Sequence, residues 1–303
     1  MRQLRAIEPN LHLVHTRQEP RAMGGNNVRS IFHPSDFSEG SEIAFIHALK
    51  IALATGANLN MLHAAEGMDV PWERFPALRE TLVRWNLLPR GSSREAVGHL
   101  GIEVRKVLCS SSQPVQACLG FLRQFPADLV VLAVHQHGGI GRWLDKPVGL
   151  PIARAVGEMT LFIPDGVEGF VSPEDGTVSI RNILIPVEGK PAPGPALETA
   201  ARMIKNLQLP AATVTLLYVG TQGQGPAVKS PEGSSGAWNR VTKKGEFADT
   251  VLRTADELAA DLIIMSGEGP GGFLDTLRGG ASERVLRKTR CPVLNLPVGA
   301  KLG

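Results

Sequence analysis

Three groups of residues in this chain have types and spacings that could do chemistry. The first is rich in glycine: Gly267-Glu-Gly269-Pro-Gly-Gly272 follows an apolar run and fits a pattern that lets a backbone approach a pyrophosphate. That pattern also requires an acidic residue about 20 positions further on. Asp275 and Glu283 come too early, so dinucleotide binding is not expected. The second group is His33, His63 and the pair His135-x-His137, each at or near the end of an apolar run. Neutral imidazoles there could hold zinc or copper. No carboxylate spacing completes a cage, so the expectation is no metal, with His33, His135 and His137 as weak candidates and hydrogen-bonding as their role. The third group is Cys109, Cys118 and Cys291, scattered without metal-type spacing and read as reduced thiols of a cytoplasmic protein. Cys291, just before an apolar run, reads as a small core residue. No Ser-His-Asp order or paired carboxylates stand out, and the expected activity is non-catalytic.

Composition narrows the partners. The chain has 303 residues, 43% hydrophobic and 20% charged, and its aromatic content of 5% includes one tyrosine. Stacking platforms for bases are therefore scarce. The formal charge of +3 resides in the first 30 residues, where Arg2, Arg5, Arg17, Arg21 and Arg29 face Glu8 and Glu19. The rest is neutral, so no nucleic-acid partner is expected. Apolar runs such as Leu129–Val134 are too short to span a membrane, and no secretory leader pattern is present.

The elements that must position these residues occur twice. Arg29-Ser-Ile-Phe-His-Pro-Ser-Asp36 matches Arg181-Asn-Ile-Leu-Ile-Pro-Val-Glu188, and Ala127-Asp-Leu-Val-Val-Leu132 matches Ala260-Asp-Leu-Ile-Ile-Met265. The first copy is longer between Asp36 and Ala127, with the excess placed in the irregular stretch 67–101. Its strands are expected at Ser30–Phe32, Asn58–Ala64, Glu103–Leu108, Leu129–Val134 and Thr160–Ile163. Its helices are expected at Glu42–Thr55, closed by Gly56, at Pro114–Gln124 and near Leu150–Val156. The second copy predicts strands at Ile183–Val187, Thr213–Val219, near Arg240–Lys243, Leu262–Met265 and Pro292–Leu296. Between them lie helices at Ala196–Asn206, Phe247–Leu258 and Ser282–Lys288. Strands apolar on both faces and separated by helices give an α/β class: two similar doubly wound, Rossmann-like domains of five mostly parallel strands. The expected division is an extension (1–28), domain one (29–164), a linker with a small hairpin (165–180) and domain two (181–303). Leu11–Val14 could form a short docked strand or helix. His47, at a helical position, reads as packed or surface.

The repeated units resemble universal stress protein domains. The resemblance rests on a first strand ending Pro-x-Asp with Ser38 and Glu39 after it, the Leu62-His63 strand, and the Ala-Asp-Leu strands. Gly279-Gly-Ala-Ser-Glu-Arg-Val-Leu-Arg287 followed by Cys291-Pro-Val-Leu294 is its most specific part. It implies a role in the stress response, protein partners of unknown identity, and last strands that pair as an internal pseudo-dimer; further homodimerisation is left open. It also implies a Gly-x-x-Gly, nine residues, Gly-Ser/Thr loop that wraps ATP phosphates, with the acid after the first strand facing adenine. No cofactor is required on this reading, and ATP or AMP is the candidate ligand.

Carried over residue by residue, the loop of the second copy keeps Gly269 and Gly279 at the expected spacing. Ser266 stands where its first glycine belongs, and Gly280 where a hydroxyl belongs. The candidate nucleotide residues are thus Glu188, Val219, Ser266, Gly267, Gly269, Gly279 and Gly280, with Asp36 in the first copy. Ser266 is expected to conflict with a glycine-type backbone. In the first copy, His135-Gln-His137-Gly138 replaces the loop's glycine start. The expectation is weak or lost nucleotide binding; the alternative is an ATP/AMP sensor using the second copy, with slow hydrolysis.

Overall fold

The computed structural model describes residues 11–12, 28–66, 70–134, 151–153, 157–188, 192–267 and 281–297. In chain order, β1 (Leu11–His12), β2 (Ser30–Pro34), α1 (Glu39–Thr55) and β3 (Asn58–Ala65) come first. After a 3₁₀ turn at Trp72–Arg74 come α2 (Leu78–Arg84), α3 (Glu95–Gly98), β4 (Val104–Ser110), α4 (Pro114–Gln124), β5 (Leu129–Val134) and β6 (Met159–Pro164). The second half runs β7 (Asn182–Val187), α5 (Gly194–Asn206), β8 (Thr213–Val219), β9 (Ala237–Lys243) and α6 (Phe247–Glu257). It closes with β10 (Leu262–Gly267), α7 (Ala281–Lys288) and β11 (Val293–Pro297).

The eleven strands among the described residues form one sheet, ordered β1-β4-β3-β2-β5-β6-β11-β10-β7-β8-β9. Each half contributes five parallel strands. The halves join where β6 and β11 pair antiparallel, Leu161 opposite Leu294, Phe162 opposite Val293 and Thr160 opposite Asn295. β1 adds antiparallel to β4, so the Leu11–Val14 expectation is met as a strand at Leu11–His12. Apolar side chains fill both faces of the sheet, one cluster under α1 and α5, the other under α4, α6 and α7.

The recurring Ala-Asp-Leu has a structural cause. Asp128 accepts hydrogen bonds from the Arg29 and Ser30 amides at 2.8 and 2.9 Å. Asp261 does the same for Arg181 and Asn182 at 2.7 and 2.8 Å. Each carboxylate thereby pins the start of its half's first strand to the fourth strand beside it. Charge-assisted bonds of this kind are the stronger ones. Asp261→Ala should lower the unfolding free energy by about 2 kcal/mol, read from the shift of the denaturation midpoint.

The first helix extends from Ser38, whose hydroxyl caps the Ser41 amide, to Gly56 in the left-handed conformation, one residue beyond its last turn. Its sequence is apolar nearly all round, and both sides are covered: one by the sheet, the other by the segment linking the halves. That segment forms the expected hairpin, with Val171 bridged to Val178. It docks on α1 and α2 of the first half. The irregular stretch of the first half holds two short helices and a 3₁₀ turn that its Pro and Trp content did not announce.

Candidate functional site

In an open parallel sheet, ligands settle beyond the strand ends where the strand order reverses. Here that point lies between β2 and β5, and again between β7 and β10. β2 pairs with β5 only at Ile31–Leu129 and Phe32–Val130, whereas its pairing with β3 continues to Pro34. β7 pairs with β10 only at Ile183–Leu262 and Leu184–Ile263, while its pairing with β8 reaches Val187. Both halves thus part their central strands and open a crevice.

The first crevice is stitched from within. His33, fully buried on β2, places Nδ1 3.0 Å from the Val131 carbonyl across the split. A carbonyl can only accept, so Nδ1 carries the proton and Nε2 receives from the Ser41 hydroxyl group at 3.3 Å. Ser41 Oγ in turn lies 3.0 Å from Ser35 Oγ. Burial pushes the His33 pKa down to about 4, so the ring is neutral. Both nitrogens are engaged, which removes His33 from metal duty in this arrangement; among the described residues no group of three or more His, Cys, Asp or Glu could hold a metal ion. His135 and His137 lie outside the described residues.

Asp36, expected above to face adenine, serves the turn into α1. Its Oδ1 accepts from the Ser38 amide at 3.0 Å and the Ser38 hydroxyl at 2.6 Å. Phe37 follows in a left-handed conformation (φ 62°), rare for a bulky residue, and its ring stacks on His63 at 3.9 Å. The His63 Nδ1–H donates to the Ser35 carbonyl at 2.7 Å, and its pKa is lowered chiefly by burial, with the Arg74 charge adding to it. Arg74 lies 5.0 Å over the Phe37 ring, Phe75 meets that ring edge-on, and Trp72 stacks on Phe75. Rings from the longer β3–β4 connection therefore sit on the loop after β2. Asp165, whose amide donates to the Val134 carbonyl at 2.9 Å, places its carboxylate against Gly40, where an added Cβ would lie 2.7 Å from Oδ1.

The second crevice has a different interior. The position matching His33 is Ile185, fully buried and unable to bridge the split. Glu188 directly follows β7, Val219 ends β8, and Ser266 and Gly267 end β10, so four of the candidate residues gather at adjacent strand ends. Ser266 has an ordinary strand conformation and is not among the positive-φ residues, so the expected glycine-type conflict does not arise. Its hydroxyl is buried with no hydrogen-bond partner among the described residues. A buried hydroxyl without a partner carries a desolvation cost. Gly269, Gly279 and Gly280 lie outside the described residues, and Asp36 belongs to the other crevice. The loop after β8 curls over the Tyr218 ring, with an added Cβ at Gly220 or Gly225 coming within 2.7 or 2.9 Å of it.

Cys109, Cys118 and Cys291 are all buried, and burial raises each pKa, that of Cys291 to about 11. No helix among the described residues is long and apolar enough to cross a membrane.

Sequence reading missed the Phe37–His63–Phe75–Trp72 assembly and the role of His47. The only signal for the first was an aromatic residue directly after Asp36. For His47 the partner is backbone 123 residues away, which no local pattern announces.

Residues 27–159 and 231–297 match the model of the universal stress protein family. No curated protein matches the chain. Among solved structures, a universal stress protein from Archaeoglobus fulgidus DSM 4304 is similar over 90% of this chain and 96% of that one, with 15% identity and a TM-score of 0.55. A functionally unknown protein from Pseudomonas aeruginosa PAO1 covers 90% and 93%, with 13% identity and a TM-score of 0.55. A universal stress protein in complex with cAMP is similar over 45% of this chain and 97% of that one, at 23% identity and a TM-score of 0.29. At 15% and 13% identity the likeness to the first two shows the fold alone.

Proposed function

The chain belongs to the universal stress protein family, and we propose that it is a non-catalytic member acting in the stress response by binding, with weak adenine-nucleotide occupancy confined to the second half. On this reading residues 29–164 and 181–303 are its two domains, in a cytoplasmic protein with protein partners. The observation that carries the reading is the unlike interior of the two crevices. His33 ties β2 to β5 through the Val131 carbonyl, whereas the matching crevice has Ile185 there and leaves the Ser266 hydroxyl without a partner among the described residues. A ligand oxygen or phosphate reaching Ser266 would satisfy that hydroxyl. In the first half a ligand would have to displace bonded or stacked side chains.

The unpartnered Ser266 hydroxyl also favours a second reading, a tight ATP or AMP sensor in the second half. Mass spectrometry of nucleotide released from purified protein, followed by calorimetric titration with ATP, separates the two. The proposed reading expects little co-purified nucleotide and at most one weak site per chain, weakened further by Glu188→Lys or Gly269→Val. Stoichiometric co-purified ATP would establish the sensor instead, and two sites per chain would sink the claim that the first crevice is sealed.

A further inference from the structure

One imidazole engages the backbone of the linker between the halves. His47, buried in the middle of α1, has Nδ1 2.8 Å from the Ile43 carbonyl one turn back. Since that carbonyl can only accept, Nδ1 carries the proton and Nε2 presents a lone pair. Into it run two backbone amides of the hairpin, Phe170 at 2.9 Å and Val171 at 3.3 Å. The Phe170 ring meets the imidazole edge-on at 4.5 Å, and Phe170 and Val171 are both buried. Gly169 (φ 74°) passes so close to Nε2 that no side chain could stand there. At the hairpin's other end, Trp85 Nε1 and Arg84 Nε both donate to the Pro173 carbonyl, at 3.2 and 2.7 Å. Gly176 lies against the Trp85 ring, where an added Cβ would come within 2.6 Å.

We propose that His47 is a proton-operated latch: its unprotonated Nε2 holds the hairpin on α1 and α2, and uptake of a proton at Nε2 releases it. A protonated Nε2 would set its own N–H against two N–H donors and leave all three without an acceptor, in a buried site where that is costly. Docked, the ring titrates at about 4, because burial disfavours its charged form. Released into water it titrates near its ordinary 6.5. The proton is thus bound more tightly by the released form, and acid favours release.

The surroundings leave this titration to His47. Its own helix carries Lys50, which lies 5.9 Å over Trp85 and feels Asp175 of the hairpin, and Glu39 and Glu42 in its first turn. The hairpin also carries Glu168 and Glu174, α2 contributes Arg84, and Asp165 sits at Gly40, far up α1. From β2, His33 faces α1 through Ser41. On the same face of the sheet β3 carries His63, stacked on Phe37, and β4 carries Lys106, bonded to the Pro76 carbonyl, while Val131, Leu161 and Ile163 are apolar. Burial is the first cause of the His47 shift, and no charge enters it.

Hydrogen exchange of the intact protein, corrected for the intrinsic pH dependence of amide exchange, tests the latch. Between pH 7 and pH 5 the opening equilibrium of amides 170, 171, 176 and 179 should rise roughly 20-fold, while the amides of α4 and β5 keep their protection. Unchanged hairpin protection across that range would overturn the proposal, as would loss only in step with α4 and β5. His47→Gln supplies an acceptor that does not titrate, so its hairpin should stay docked at both pH values; acid release like that of the original chain would count against the latch. Should that variant not fold, ¹⁵N shifts of the original imidazole at pH 7 must read Nδ1 protonated and Nε2 bare, and the reverse tautomer overturns the idea.

Discussion

Denaturant titrations at pH 7 and pH 5 should differ by about 2 kcal/mol in unfolding free energy for each of His33 and His47, the chain being less stable in acid. Both rings titrate at about 4 in the fold and start from 6.5. Between those values the unfolded chain binds more protons than the folded one, so stability rises with pH. The contribution is fully present above pH 6.5, is lost as pH falls toward 4, and changes no further below that. Carboxylates of ordinary pKa are mostly ionised at pH 5, and Glu158, whose pKa burial raises, acts in the opposite direction, so the loss of stability in this window belongs to the histidines. His63, whose pKa is also lowered, adds in the same direction. His33→Ile, which gives β2 the residue type that β7 has at Ile185, should abolish the His33 share of the pH dependence while lowering stability at pH 7, because the Val131 carbonyl loses its imidazole. A chain equally stable at both pH values would refute the buried, neutral assignment of both rings.

The second large effect lies at the seam. Leu161 and Leu294 face each other across β6 and β11 and are both buried in the cluster under α1 and α5. Leu161→Ala and Leu294→Ala should each cost about 2–4 kcal/mol, the lost transfer energy plus the cavity left behind. Since both changes empty the same space, the double variant should depart from the sum of the singles by at least about 0.5 kcal/mol. Midpoints from guanidinium unfolding, followed by far-ultraviolet circular dichroism, provide the measurement. Strict additivity would mean that the two side chains do not share a packing site.

Much of the fold could be read from residues that had to be written twice. Asp128 and Asp261 perform the same bond to the same pair of amides, and that shared chemistry kept Ala-Asp-Leu visible in both copies. Helix α4 and strands β5 and β8 fell where periodicity placed them. β9 starts three residues earlier than expected, because an edge strand half open to solvent carries little apolar signal. Of the candidate site, the sequence located which strand ends face the crevices but not their contents. The Val131 carbonyl that engages His33 and the amides that engage His47 are backbone groups, present at every residue, so side-chain patterns cannot single them out. The rings over Phe37 come from a segment without period, where only tertiary packing chooses among its aromatic residues.

The antiparallel seam has a consequence for inheritance. Two separate identical subunits joined across such an edge would meet every substitution twice, once in each partner, and both images would have to fit. Here the partner edge is supplied by the same chain, permanently at hand. Each side can then change alone, and it has: Phe162 faces Val293 while the symmetry-related place offers Thr160 against Asn295. Covalent tethering thus freed the two copies from mirroring one another, and that liberty extends to crevices with different interiors.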